Sequence, residues 1–522
     1  MILFLNYTPT ILLSVIQKQL FSFFKFNCVL PTHRSLIFLF VLFAGISTAK
    51  ANFNFNARSA EAYKAIYKLR LSDARAIIKE EKQRDPRNGI NVLLENYVDY
   101  WDVMMSENKA AYDRFKDVAS DRIDVLEDND KNSPYYLYSQ AEVYLQLGIL
   151  KARFGDYFSS FRDIKKARGL IRDNMAKYPD FILNQKDDAI IEAIFGVVPS
   201  NLRSIAKLLG MSGNTQTGLA RLEKLHTQFD NKNMDMYMDE ITFFLSYIYI
   251  DLLHTKNYDK LIGYVKKMDD NSGLKNYLGG YISVKNERND DAIRYLSIIQ
   301  NGSQRLVMPS ASYLLGSAKL CRMDTDANVY FARYINEYKG KKYVKDAYLK
   351  LAYYYLLNND AAKYNYYVTM VRSKGSIDGE RDKQALREAN DPPPNIDLLK
   401  ARLYYDGGYY SKALIILNNK EQNDLKLARD QLEYVYRLGR VFEKTGKYNE
   451  AIANYQKAIN MGKATAYYYA ANAALGTASI YELKKDYDKA ATYYKLALGM
   501  KNHEYQSSTE YEAKQGLERI NR

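Results

Sequence analysis

Between Leu432 and Lys463 apolar and small residues recur in a fixed order: Leu438-Gly439, Phe442, Gly446, Tyr448, Ala451, Tyr455 and Ala458. Steps of three and four residues belong to a helix face, and Gly446-Lys447 breaks the run into two helices joined by a turn. The small residues Gly439, Ala451 and Ala458 mark where the two helices touch. The aromatics fill the space between helices and between neighbouring units. The same order returns at Ala478, Tyr481, Tyr487, Ala490, Tyr494 and Ala497, and earlier at Ala401, Tyr404, Gly408, Tyr410, Ala413 and Leu417. A fourth copy reads Leu147-Gly148, Gly155, Tyr157 and Ala167, with Ser160 in a small-residue slot. From 242 to 372 the copies are degenerate, although Leu315-Gly316 and Leu351-Ala352 keep the register. Ala74, Ile78 and Pro86 suggest one more unit near the start.

A unit this short cannot bury its own apolar face, so neighbours must stack. The expected fold is all-α: a solenoid of stacked antiparallel helix pairs. The order Leu-Gly, aromatic, Gly, aromatic, Ala, aromatic, Ala resembles the tetratricopeptide repeat, stretched from the usual 34 residues to about 38. That resemblance implies a superhelix whose concave groove is lined by the first helix of each unit. In the C-terminal units it places Arg402, Tyr405, Tyr436, Arg440, Glu443 and Glu482 in the groove, with Leu398 and Ser479 beside them. Tyrosine and arginine are the residue types that most often anchor interfaces.

Two segments interrupt the pattern. Residues 187–225 hold an apolar run, Ile190 to Val198, which stops at Pro199; Leu208-Leu209-Gly210-Met211-Ser212-Gly213-Asn214 and Gly218-Leu219 follow. This segment resembles the hallmark of the inclusion-body-clearance / tetratricopeptide-39-like family of helical repeat proteins. It departs from that hallmark at Met211, Asn214 and Ser200. Residues 373–395 combine glycine and charge and end in Asp391-Pro392-Pro393-Pro394, which reads as a linker loop. The expected division is therefore N-terminal repeats with an insert (52–240), degenerate repeats (241–372), a linker (373–395) and a C-terminal repeat block (396–522).

The first 51 residues carry no acid. His33-Arg34, the apolar run Leu36 to Ile46 and the small residues around Ala49 and Ala51 form a secretory leader, with cleavage expected before Asn52. Residues 1–32 precede a complete leader and read as the product of a start assigned too far upstream. The expected location is the periplasm or the inner face of an outer membrane. The chain beyond the leader has one cysteine, Cys321, so it can form no internal disulfide. The apolar run Ile190 to Val198 contains Glu192 and is too short to span a membrane.

Net charge is +14, but lysine and arginine are interspersed with acids and no block of one sign occurs, so no nucleic-acid partner is expected. His226, His254 and His503 are too far apart to share a metal. No phosphate loop or nucleophile elbow is present. Asp128-Asn129-Asp130-Lys131-Asn132-Ser133 begins like a calcium loop but lacks its glycine and its closing glutamate. No cofactor, metal or catalytic residue is expected. Tyrosine is abundant, 49 residues against a single tryptophan, and clusters at Tyr353 to Tyr355, Tyr366-Tyr367, Tyr409-Tyr410 and Tyr467 to Tyr469. One member of each cluster fills a core slot, and the others must point elsewhere. The leading expectation is a non-catalytic scaffold of the cell envelope that holds a peptide or partner protein in its groove. Carbohydrate binding and a helical-toroid glycan-processing enzyme are the alternatives.

Overall fold

A computed structural model describes residues 51–196, 206–207, 210–231, 234–301 and 306–521. The described residues belong to one compact unit that begins at Ala51. The leader expected over 1–51 therefore lies outside the described residues, apart from Ala51.

Among the described residues the architecture is helical throughout; a lone backbone bridge joins Asn52 to Asn88. Four pairs come first: α1 (Ala57–Tyr67) with α2 (Leu71–Arg84), α3 (Gly89–Ser106) with α4 (Lys109–Glu127), α5 (Tyr135–Arg153) with α6 (Tyr157–Lys177), and α7 (Leu183–Phe195) with α8 (Thr215–Asn231). Then come α9 (Met238–Tyr247), which runs into a π-helical turn at Ile248–Leu252, and α10 (Tyr258–Lys267). The next pairs are α11 (Gly273–Lys285) with α12 (Asn289–Asn301), α13 (Pro309–Arg322) with α14 (Ala327–Glu337), and α15 (Val344–Leu357) with α16 (Ala361–Ser373). A single helix α17 (Glu380–Asn390) precedes the last three pairs: α18 (Ile396–Asp406) with α19 (Tyr410–Asn418), α20 (Ala428–Lys444) with α21 (Tyr448–Gly462), and α22 (Tyr469–Leu483) with α23 (Tyr487–Gly499). Helix α24 (Gln506–Ile520) closes the array.

The turn inside most pairs passes through one left-handed residue. Glycine supplies it at Gly155, Gly408 and Gly446, while Glu287, Met323, Asn359 and Lys485 adopt it elsewhere. Side-chain caps start many helices: Asn56 accepts from the Ser59 amide at 2.9 Å and Asn108 from the Ala110 amide at 2.9 Å. The small-residue slots behave as the pattern requires. Ala451, Ala458, Ala478, Ala490 and Ala497 are wholly buried. A methyl added at Gly439 would come within 2.5 Å of the Tyr455 ring.

First helices of successive pairs pack on one another (α18 on α20, α20 on α22, α22 on α24), more closely than the second helices do. The array therefore curves with its first helices inside, and they form the concave face. It also folds back on itself. Helix α1 reaches the segment before α11, where the Gly273 amide donates to the Lys68 carbonyl at 3.0 Å. The Tyr338 hydroxyl donates to Glu107 at 2.7 Å, and Lys444 pairs with Glu287 at 2.9 Å.

Residues 373–395, expected as a linker loop, instead contain α17, which is packed into the array. Asp382 is buried, and its carboxylate accepts from the Tyr343 and Lys345 amides at 2.7 and 2.9 Å, so it caps the start of α15. Charge in this stretch serves a helix cap, which is why it resembled a solvated loop. In the insert, α7 and α8 form a regular pair. A methyl at Gly218 would meet the Ala193 amide nitrogen at 2.5 Å, so glycine lets the two backbones touch. Glu192, inside the apolar run, accepts from the Asn214 amide at 2.8 Å and pairs with Arg168, joining the start of α8 to α7 and α6. Pro199, Leu208 and Leu209 lie outside the described residues.

Candidate partner-binding groove

The six expected groove residues fall on α18, α20 and α22, all first helices. Helical spacing puts Tyr436, Arg440 and Glu443 on one face of α20. Tyr405 rises from α18 beneath Arg440, whose guanidinium carbon lies 4.1 Å from the Tyr405 ring centroid and 5.9 Å from that of Tyr436. Both rings are buried, and Arg440 is half-buried. Among the described residues Arg440 has no hydrogen-bond or ion-pair partner. Its cation rests on aromatic faces with all its N–H donors unspent. Asp406 is within electrostatic reach of it, and so is Glu512 on α24.

The other members are already engaged. Arg402 forms a two-pronged pair with Glu388 of α17 at 2.9 and 3.1 Å. Burial would raise the Glu388 carboxyl, but Arg402 outweighs it and holds the pKa down at about 2. Glu443 accepts from the Tyr455 hydroxyl at 2.5 Å, and Glu482 accepts from Tyr494 at 2.5 Å and from Arg519 at 2.9 Å. These two glutamates occupy the same place in consecutive repeats. Each is a staple that satisfies a tyrosine reaching through the core. Leu398 is buried and does not line the face; Ser479 is exposed.

Sequence reasoning missed three contributors. Glu388 was hidden in the expected linker. Arg437, paired with Glu433 at 2.6 Å, and Tyr468, whose ring lies 5.8 Å from Tyr436, belong to the same patch. The Tyr467 to Tyr469 cluster was the available signal for the last.

A second polar cluster lies deep in the N-terminal half, where Lys186 is wholly buried. Its ammonium lies 3.1 Å from Glu142, 2.7 Å from Asp187 and 2.7 Å from Glu240. Tyr63 donates to Glu240 at 2.5 Å and Tyr138 to Glu142 at 2.9 Å. The three carboxylates lie close enough together to hold a metal ion, but the lysine ammonium already occupies the place of the cation. Burial would lower the Lys186 pKa; the carboxylates, Asp187 foremost, outweigh it and raise it. Burial and the neighbouring Glu142 push the Asp187 pKa up, and the Lys186 ammonium pulls it back down.

The remaining reactive groups are quiet. Burial pushes the Cys321 thiol up to about 12, which removes its nucleophilic form at neutral pH. Residues 128–133 make a polar turn in which Asn129 donates to the Arg87 carbonyl at 3.1 Å and the Asn132 amide donates to Asp130 at 3.1 Å. No helix among the described residues is long and apolar enough to cross a membrane.

Residues 422–502 match the family model described as tetratricopeptide repeat, so the chain carries such repeats across α20 to α23. The comparison with curated proteins gives no match. Similar solved structures include the crystal structure of yeast Tom70, with 13% identity over 87% of this chain and 96% of that one, at a TM-score of 0.23. The APC/C hetero-tetramer Cut9–Hcn1 gives 13% identity over 88% and 95%, at 0.26. The Naa15/Naa10 complex bound to HypK-THB gives 11% over 89% and 79%, at 0.19. Scores this low carry no argument, and the fold stands on the helix pairing described above.

Proposed function

We propose that the protein is a non-catalytic scaffold whose C-terminal repeats hold a protein segment bearing a carboxylate. The observation that carries this reading is Arg440: a cation on the concave face, oriented by Tyr405 and Tyr436, with no hydrogen-bond or ion-pair partner among the described residues. A guanidinium held over an aromatic ring loses little freedom when a carboxylate arrives, so its hydrogen bonds cost little to form. Buried tyrosines around it supply a rigid wall. Arg402, by contrast, is committed to Glu388 and acts in the wall. The repeat match at 422–502 supports the reading, since it includes α20 and α22, two of the three first helices that carry this face.

The proposal places this activity in the cell envelope. Its support is the leader pattern that ends at Ala51, next to the start of the compact unit. The exported chain would begin at Asn52, and N-terminal sequencing of the protein from cells tests this. The likeness of residues 187–225 to the inclusion-body-clearance / tetratricopeptide-39-like family is carried forward as a shared way of packing a helix pair.

Binding is tested by fluorescence anisotropy with two labelled peptide pools of equal length, one acidic and one basic. The acidic pool should bind, and Arg440→Gln should weaken it at least about tenfold, equivalent to about 1.4 kcal/mol. Equal binding of both pools, or no effect of Arg440→Gln, would remove the groove from the account.

A further inference from the structure

Away from the groove, on the side of the second helices, a cavity of about 450 Å³ opens between α14, α15 and α16. One wall is a continuous face of α14 carrying Asn328, Arg333, Asn336 and Glu337. The opposite wall is made by Tyr355 of α15 and Tyr367 of α16. These belong to the tyrosine clusters that the core does not use up. Tyr353 and Tyr364 take the buried core slots, and Tyr355 and Tyr367 are left partly exposed at the surface.

The two rings are nearly parallel, 6° apart with centroids 5.3 Å from each other, so they form a stepped aromatic floor. Tyr366 meets Tyr367 edge-on at 5.0 Å and is itself exposed. The Asn328 amide reaches the Tyr355 hydroxyl at 3.4 Å, which fixes that ring against α14. Arg333 is anchored by the Gln300 carbonyl at 3.2 Å. The rim thus presents amide, guanidinium and carboxylate groups, with Asn328 and Arg333 anchored. Among the described residues lining it, Arg333 and Glu337 are the charged ones. Lys363, 4.9 Å from the Tyr355 ring, is offset by Asp360 at 3.3 Å.

We infer that this cavity is a binding site for a neutral sugar of about disaccharide size. The volume lies within the range of small-ligand sites. The negative π-face of a tyrosine ring attracts the polarised C–H bonds on the flat side of a pyranose, which also covers the ring from water. Hydroxyls both donate and accept, and the amides of Asn328 and Asn336 offer both complements on one rim. A phosphorylated ligand would need surplus positive charge, and among the described lining residues Arg333 is the one cation. A purely apolar ligand would leave the rim's polar groups desolvated and unpaired. Tyrosine suits such a floor better than phenylalanine because its hydroxyl keeps the ring edge wet when the site is empty.

The test is saturation-transfer NMR on the protein with cellobiose, maltose, lactose and N,N′-diacetylchitobiose, each at 10 mM. At least one should show transfer. Tyr355→Ala and Tyr367→Ala should each weaken it at least tenfold. Tyr355→Phe should retain most binding, and Asn336→Ala, at an exposed position, should lose several-fold without altering the fold. Absence of transfer from all four sugars overturns the proposal. So does transfer that survives both alanine variants, or full displacement of the sugar by an acidic peptide, which would reassign the cavity to a protein partner. Arg440→Gln should leave sugar binding unchanged, so this result and that of the groove are independent.

Discussion

Tyr455 and Tyr494 cross the core of consecutive C-terminal repeats, and each ends on a glutamate of its own repeat, Glu443 or Glu482. In the N-terminal half the corresponding polar contacts converge on one point. Lys186 binds carboxylates from α5, α7 and α9, and Tyr63 of α1 joins through Glu240. The C-terminal block repeats a local device, so each repeat is satisfied alone. The N-terminal half uses one shared device, so four helices are satisfied together or not at all. A repeated device tolerates the loss of one copy and leaves a curved face available, as Arg440 shows. A shared hub fixes a single arrangement of its helices and closes the first part of the array.

The largest expected effect separates these designs directly. Lys186→Met leaves buried carboxylates without their cation and should cost about 3–5 kcal/mol, enough to unfold the N-terminal half. Chemical denaturation followed by hydrogen exchange should show protection lost from α1 to α9 but retained in α20 to α23. Uniform loss would mean that the two regions are one cooperative unit. Tyr455→Ala should cost about 3–5 kcal/mol through the cavity it leaves, whereas Tyr455→Phe should cost about 1 kcal/mol, the net worth of one hydrogen bond. Both changes should stay confined to the C-terminal block.

Acid should sharpen the contrast. Burial holds His226 neutral, with its pKa pushed down to about 4. The unfolded chain takes up this proton near 6.5, so stability falls as pH drops from about 6.5 to 4, by up to about 3 kcal/mol. Glu388 in the C-terminal half behaves differently, with its folded pKa held down at about 2. The stability it contributes is intact above about 4.5 and lost only as pH falls from there towards 2. Hydrogen exchange at pH 5 should therefore show the region around α8 loosened while α17 and α18 remain protected. Simultaneous loosening would contradict the assignment.

The smallest effect concerns the turns. Lys485 occupies the left-handed site that glycine fills at Gly446 in the preceding repeat. Lys485→Gly should raise stability by about 1 kcal/mol, read from the urea midpoint. The same change at Glu287 should fail to stabilise, because Glu287 also holds Lys256 and Lys444.

The comparison also explains what the sequence could disclose. Leu438-Gly439, Ala451, Tyr455 and Ala458 recur because each repeat meets the same local demand, and recurrence is visible in one chain. The placement of Tyr405, Tyr436 and Arg440 on first helices followed from that periodicity. The partners of Arg402 and Glu443 did not: Glu388 lies on a helix disguised by charge and a proline run, and the Tyr455 hydroxyl looked like part of an apolar slot. The Lys186 hub had no repeat to announce it. Its members sit at 63, 142, 186, 187 and 240, and only the back-folding of the array brings them together. A lysine-aspartate pair next to an apolar helix was the one local sign.

The central claim is that Arg440 is a receptor on the groove and that Arg402 is part of its wall. The direct measurement is acidic-peptide binding and thermal stability for Arg440→Gln and Arg402→Gln side by side. Arg440→Gln should lose at least about tenfold in affinity, worth about 1.4 kcal/mol, with its melting temperature unchanged. Arg402→Gln should lower the melting temperature, because it strands the half-buried Glu388. Unchanged peptide affinity in the Arg440 variant, or a melting loss in that variant equal to that of Arg402→Gln, would contradict the account.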